Sequence, residues 1–250
     1  MRVLRRAGWV LVLVLLIAAW QAFVRWRGIP NYLLPAPSDV ARALVDERSQ
    51  LASAALVTLR EMVVGYAAAV AFGLAAAVGL HLSDAARRAV YPLLVASQSV
   101  PVVAIAPLLV IYLGFGLAPK VLIVALVCFF PVTVNALDGF RAVDPEYRRM
   151  MRTLHADRVA IFRRVEFPSA LPGIFSGMRI AASYAAVAAL FAEFAGGQQG
   201  LAVPMRDQLD TPLVGAAVVL LAAMALALFA AVVLLERVVA PWTRHVGRGS

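Results

Sequence analysis

Six apolar runs, separated by shorter polar segments, pattern the chain: residues 7–24, 62–80, 89–113, 121–137, 180–195 with an extension back towards Ala170, and 212–235. About 20 apolar residues in a helix span the hydrocarbon core of a bilayer. Inside lipid every backbone N–H and C=O must be satisfied within the segment, which leaves the helix as the form such a run takes. The pattern predicts an all-α, polytopic membrane protein with six transmembrane helices. It divides the chain into an N-terminal helix (1–29), an outer interfacial segment (30–53), a core of five helices (54–240) interrupted by a polar loop (138–170), and a tail (241–250). The first run has the Arg2, Arg5 and Arg6 flank of a signal peptide. Its apolar core is long and has no convincing small-x-small cleavage site before Gln21, so it reads as a retained helix.

Several breaks in the pattern carry local structure. Between the first two runs, Pro35 and Pro37 interrupt the chain, and Ser38 is placed to cap a short interfacial helix carrying Val40, Leu44 and Val45. Pro92, Pro101 and Pro107 bend the third run. The fifth run ends with Glu193 followed by Gly196, Gly197 and Gly200, the composition of a bent or re-entrant segment. A carboxylate at that depth faces a cavity or a partner. Pro101, Pro107, Glu193, Gly196 and Gly197 are therefore candidates for the pathway or gate; the alternatives are a purely structural hydrogen-bonding role for Glu193 and ordinary packed helices for the prolines. Arg60 and Glu61 enter the second run together and either pair or stay interfacial, whereas Arg179 is near enough to an end to snorkel. Gly65, Ala68, Gly73, Ala76 and Gly79 make a small-residue stripe suited to close helix approach.

The polar loop folds into its own elements. Asp144 can accept from free backbone N–H groups, Pro145 suits the first helical position and Glu146 meets the positive end of the helix dipole. A helix is expected through Arg148, Arg149, Met150, Met151, Arg152 and Thr153 to Leu154, with a turn at His155 and Ala156. Asp157 can cap a second helix whose face carries Val159, Phe162 and Val165, with Ile161 beside them. That helix is expected to stop before Pro168, and Ser169 to cap the fifth span with Pro172 in its first turn. A short helix, a corner and an amphipathic helix form a knob that can seat in a groove on another protein. A basic loop that only enforces topology is the plainer alternative.

Composition agrees with the pattern. Hydrophobic residues are 63% and charged residues 15%, against about 45–50% and about 25% in soluble domains, and mean hydropathy is +0.86. Most of the 23 Lys and Arg residues fall in segments on one side of a six-span arrangement, among them Arg87, Arg88, Arg141, Arg148, Arg149, Arg152 and Arg158. The positive-inside rule then puts both termini and the loop in the cytoplasm. The net charge of +9 reflects that topology and anionic lipid rather than a nucleic-acid partner, for which no basic and aromatic interleaving exists. The single Cys128 lies in an apolar run as a small buried hydrophobe. No G-x-x-x-x-G-K-[ST] motif is present, and no metal-binding His/Glu pair at helical spacing occurs in a run. Two rival classes are weakly supported. Asp138, Gly139 and Asp144 are a poor start to the metal motif of a membrane transferase, and no charge sits at the centre of the third, fourth or sixth run for a secondary transporter or channel.

Arg149, Met150 and Met151, then His155, and later Ile161, Phe162, Pro168, Ala170, Leu171 and Pro172 resemble the cytoplasmic EAA loop of binding-protein-dependent ABC importer permeases. LLPAPSDV, TLREMVVGYAAAVAFG, QSVPVVAIAPLLVIYLGFG and SALPGIFSGMRIAASYA are similar to the nitrate, sulfonate and taurine branch, so the resemblance covers roughly residues 30 to 240. Arg149, Met150 and Met151 replace the usual Glu-Ala-Ala, and His155 replaces the glycine of the turn. The RTLHADR variant is similar to permeases for pyrimidine precursors of thiamine. The resemblance implies a type I importer permease fold in a bacterial inner membrane, N-in and C-in. It implies a second permease copy, a cytoplasmic ABC ATPase dimer holding ATP and Mg²⁺, and an extracytoplasmic substrate-binding protein. On this reading the chain itself carries no cofactor and no catalytic residue. The residues that couple to the ATPase would be Arg148 to Asp157, Ile161, Phe162, Pro168, Leu171 and Pro172.

Overall fold

The computed structural model describes residues 2–207 and 211–242, and the part of the expected tail from 243 onward lies outside them. Helices are the only regular elements among the described residues. They are α1 (Arg2–Arg27), α2 (Pro37–Asp46), α3 (Arg48–Leu82), α4 (Asp84–Ser97), α5 (Val102–Leu113), α6 (Leu117–Arg141), α7 (Pro145–Thr153), α8 (Arg158–Ile161), α9 (Phe167–Gly196), α10 (Ala202–Asp207) and α11 (Thr211–Val239). Five helical stretches are long and apolar enough to cross a membrane, and α4 with α5 makes a sixth if the bent pair counts as one span.

The third run is therefore not one bent helix. Its two halves meet at 95° across 98–101. Pro101 has an extended backbone and stands as the N-cap of α5, because a proline there can neither donate to the preceding turn nor tolerate a helical residue before it. Pro107 stays inside α5. The second span is also longer than its apolar run. Helix α3 begins at Arg48, so Thr58 and Glu61 are buried within the bundle rather than lying at its edge.

At the centre of the bundle α6 packs on α9 and α3. Glycine allows the closest of these approaches. A Cβ on Gly173 would lie 2.8 Å from both Asn135 O and Gly139 Cα, and one on Gly177 would lie 2.6 Å from Pro131 O. Gly65 and Gly73 of α3 do the same against Val124 and Val132 of α6. Of the small-residue stripe these two face α6, while Gly79 faces open space, and the alanines buried with them are Ala69 and Ala77 rather than Ala68 and Ala76. Cys128 is fully buried in this core.

Helix α2 lies across α11, with Val40 filling the space above Gly215. Its N-cap is Ala36, not Ser38. The Ser38 hydroxyl is instead taken by α1, accepting from Gln21 Nε2 and Arg25 Nη2 at 3.1 Å each. Arg25 also pairs with Asp39 at 3.0 Å. Over Val10–Arg27 the side chains of α1 are otherwise mostly exposed. Arg179 pairs with Glu236 near the end of α11.

Candidate functional site

The polar loop between α6 and α9 forms the candidate site, and its local chemistry follows from its caps. Asp144 Oδ1 accepts from Glu146 N at 2.8 Å and opens α7. Asp157 Oδ1 accepts from Ala160 N at 2.7 Å and opens α8. Between them His155 has φ 57°, and it is the one non-glycine residue with positive φ among the described residues. An imidazole at this corner tolerates the left-handed region at a steric cost that glycine would avoid. Ala156 N returns to Met151 O at 3.0 Å and closes the turn.

The second helix does not stop before Pro168. It runs from α8 through a π-turn, Phe162–Glu166, directly into α9, with Phe167 N bonded to Phe162 O. Proline removes one helical donor and crowds a carbonyl one turn back. The widened i→i+5 turn just ahead of Pro168 relieves that crowding, so the chain continues as helix and Ser169 caps nothing. The polar loop and α9 are thereby joined in one continuous helical body.

Three further ties hold the knob to the bundle. Arg148 donates from Nη2 to Phe140 O at 3.0 Å, and its Nε is 2.9 Å from Glu166 Oε1. The other oxygen of Glu166 is 2.9 Å from His81 Nε2 at the end of α3. Arg158 reaches Leu82 O at 2.6 Å. Beneath these contacts the His81 ring stacks on Phe140 at 4.8 Å, Phe140 on Phe162 at 5.7 Å, and Phe167 tilts against Phe162. Glu166, His81 and Phe140 went unnoticed in the sequence, since what joins them is tertiary. Ile161 is the buried residue of α8, Phe162 is half-buried, and Leu171 is buried in α9. Val159 is 59% exposed, outside the amphipathic face assigned to it. Along α7 and its turn Tyr147, Met150 and Leu154 are exposed as well, Leu154 to 68%. Arg149, Arg152, Thr153, His155 and Asp157 share this outer surface, with Met151, Ala156 and Pro168 partly covered.

The pathway candidates sit elsewhere. Glu193 is fully buried: Oε1 accepts from the Thr58 hydroxyl and Oε2 from Ala202 N at 2.7 Å, while Thr58 Oγ1 accepts from Leu201 N at 3.0 Å. The carboxylate thus ties 197–202 to α3. Gly200, at φ 113°, has no room for a side chain beside it, since a Cβ there would lie 2.1 Å from Glu193 Oε1. Gly197 ends α9, and Gly196 receives Val110 from the α5 turn that follows Pro107. Glu61 pairs not with Arg60 but with Lys120 of α6 at 2.5 Å, and both are buried. Among the described residues no three His, Cys, Asp or Glu side chains converge as metal ligands.

Residues 69–245 match the family described as the binding-protein-dependent transport system inner membrane component. The chain is 34% identical over 238 residues to the formylaminopyrimidine transport permease of Halalkalibacterium halodurans, covering 94% of this chain and 95% of the relative. It is 35% identical over 240 residues to the riboflavin transport system permease of Chloroflexus aurantiacus, covering 94% and 90%. The taurine transport system permease of Escherichia coli is 28% identical over 244 residues, with 94% and 89% covered.

Proposed function

Because this chain belongs to the family of inner membrane components of binding-protein-dependent transport systems, and is thus an ABC transporter permease subunit of the inner membrane, we propose that its polar knob is the handle by which a cytoplasmic ATPase drives it. Residues 138–170 face the cytoplasm together with both termini. The surface of α7 and the turn seats in a groove on an ABC ATPase, where ATP and Mg²⁺ are bound and hydrolysed. A second copy of the chain completes the pathway, and an extracytoplasmic binding protein delivers the cargo.

The supporting observation is the pairing of an exposed apolar surface, Tyr147, Met150, Leu154 and Val159, with a rigid attachment through the π-turn into α9 and through Glu166 and His81 to α3. Apolar side chains on a strongly basic, water-facing segment are the anchors of a helix-in-groove interface. A displacement of the knob would be carried as a rigid-body shift into α9 and α3, a switch between two packed states rather than a local flexing. Arg148 holds the knob to the bundle, so its role is positioning. Arg149, Thr153, His155 and Asp157 lie at the rim, and Arg152 lines the cleft between the knob and the end of α3.

For cargo we infer a small pyrimidine-type heteroaromatic, such as a thiamine pyrimidine precursor. The formylaminopyrimidine and riboflavin permeases are relatives over nearly the whole chain, and both of those compounds contain a pyrimidine ring. Co-expression with a candidate partner ABC ATPase tests the handle. Leu154→Asp and Val159→Asp should each abolish ATPase co-purification while leaving the permease folded, and retained co-purification in both would overturn the reading. Uptake of labelled formylaminopyrimidine by cells carrying the full system tests the cargo.

A further inference from the structure

Between the knob and the end of α3 lies a cavity of about 590 Å³, into which five arginines converge from four helices: Arg87 of α4, Arg141 of α6, Arg148 and Arg152 of α7, and Arg158 of α8. Two carboxylates share the lining, Asp84 paired with Arg87 at 2.8 Å and Glu166 with Arg148. Arg158 is spent on Leu82 O. The guanidinium groups of Arg141 and Arg152 have neither an ion pair nor a hydrogen bond among the described residues, and both line the cavity.

We propose that this cavity binds a phosphate-bearing anion, held between Arg141 at the end of the transmembrane helix α6 and Arg152 on the knob. Convergent like charges repel, and the lining carries five guanidinium groups against two carboxylates. A multivalent anion removes that repulsion. Guanidinium forks match phosphate oxygens two at a time, which favours phosphate over a compact monovalent ion. The cavity lies where α3 and α6 end, and a bilayer crossed by their apolar stretches would place headgroup phosphates at that level. An anionic phospholipid headgroup and a free polyphosphate are the two sources of the same chemistry. Bound there, the anion would bridge bundle and knob and stiffen the connection. The site stands on its geometry, and only this mechanical consequence rests on the handle reading.

The test uses the full chain in nanodiscs, with the unfolding midpoint as readout. One arm adds inorganic pyrophosphate to phosphatidylcholine discs at ionic strength matched with chloride. The other replaces part of the phosphatidylcholine with phosphatidylglycerol, with retained phosphatidylglycerol counted by native mass spectrometry. A rise of a few degrees in the first arm identifies a free phosphate site, and a rise with retained lipid in the second identifies a headgroup site. Arg141→Gln and Arg152→Gln, both at exposed positions, should each remove at least half of the rise. Arg164→Gln, outside the cavity, should keep it. No rise in either arm overturns the proposal, as does a rise that Arg141→Gln and Arg152→Gln both leave intact, or one that Arg164→Gln removes equally. Uptake by the assembled transporter in the two lipid compositions then tests the mechanical consequence separately.

Discussion

Glu61 and His81 sit on the same helix about 30 Å apart, at a rise of about 1.5 Å per residue, and their surroundings treat charge in opposite ways. Around Glu61 the charges are few and buried, and all but one of the carboxylate oxygens are held: Lys120 faces Glu61 Oε1 and Thr58 with Ala202 N satisfies Glu193, while Glu61 Oε2 has no partner. Around His81 they are many, mostly arginine, and partly unmatched, and next to them apolar side chains stand exposed. A low-dielectric interior tolerates ionisable groups where they are paired, because removing one partner leaves an uncompensated buried charge. Water-facing segments can hold unpaired ones, and these are available to partners. On the function proposed above, the two regions divide the work of the chain into a clamp that keeps α3, α6 and α9 in register and a handle that an ATPase grips.

The largest effect should come from opening the clamp. Glu61→Ala strands a buried ammonium and should cost about 3–5 kcal/mol, with the Glu61→Met, Lys120→Met pair recovering most of the loss. Thermal unfolding in detergent measures both, and a wild-type midpoint for Glu61→Ala would end the contrast. Thr58→Val removes the donor to Glu193 and the acceptor for Leu201 N together, and by the same assay should cost about 1–3 kcal/mol. At the handle the scale drops. His155→Val places a β-branched residue at positive φ and should cost about 1–2 kcal/mol, whereas His155→Gly should be nearly neutral. Leu154→Asp, on the exposed face, should stay within about 0.5 kcal/mol of wild type. If Leu154→Asp unfolded the protein, the knob would be part of the core and the division between clamp and handle would fail.

Much of the handle was legible before any tertiary contact. Asp144 and Asp157 act on backbone groups two or three residues away, Pro145 fixes its own φ, and His155 stands where two such helices must turn, so each could be read locally. The expected stop at Pro168 failed because the rule for proline assumes a regular helix, and the π-turn ahead of it is sustained by packing of Phe162 and Phe167 against Phe140. Ser38 was misread in the same way: a hydroxyl suited to capping found better partners on α1. Val159 followed the helical period of an amphipathic face, but Ile161 is the side chain that the bundle covers.

What the sequence by itself determined is the class of solvent each segment meets. An uninterrupted apolar run or a cluster of arginines decides this within about 20 residues, through transfer energies that need no knowledge of neighbours. The tertiary structure alone decided which polar groups neutralise one another. Glu61 is 59 positions from Lys120, Thr58 is 135 from Glu193, and His81 is 85 from Glu166. Only the close glycine-mediated crossing of α6 with α3 and α9 brings such distant partners within the few ångströms over which a hydrogen bond forms.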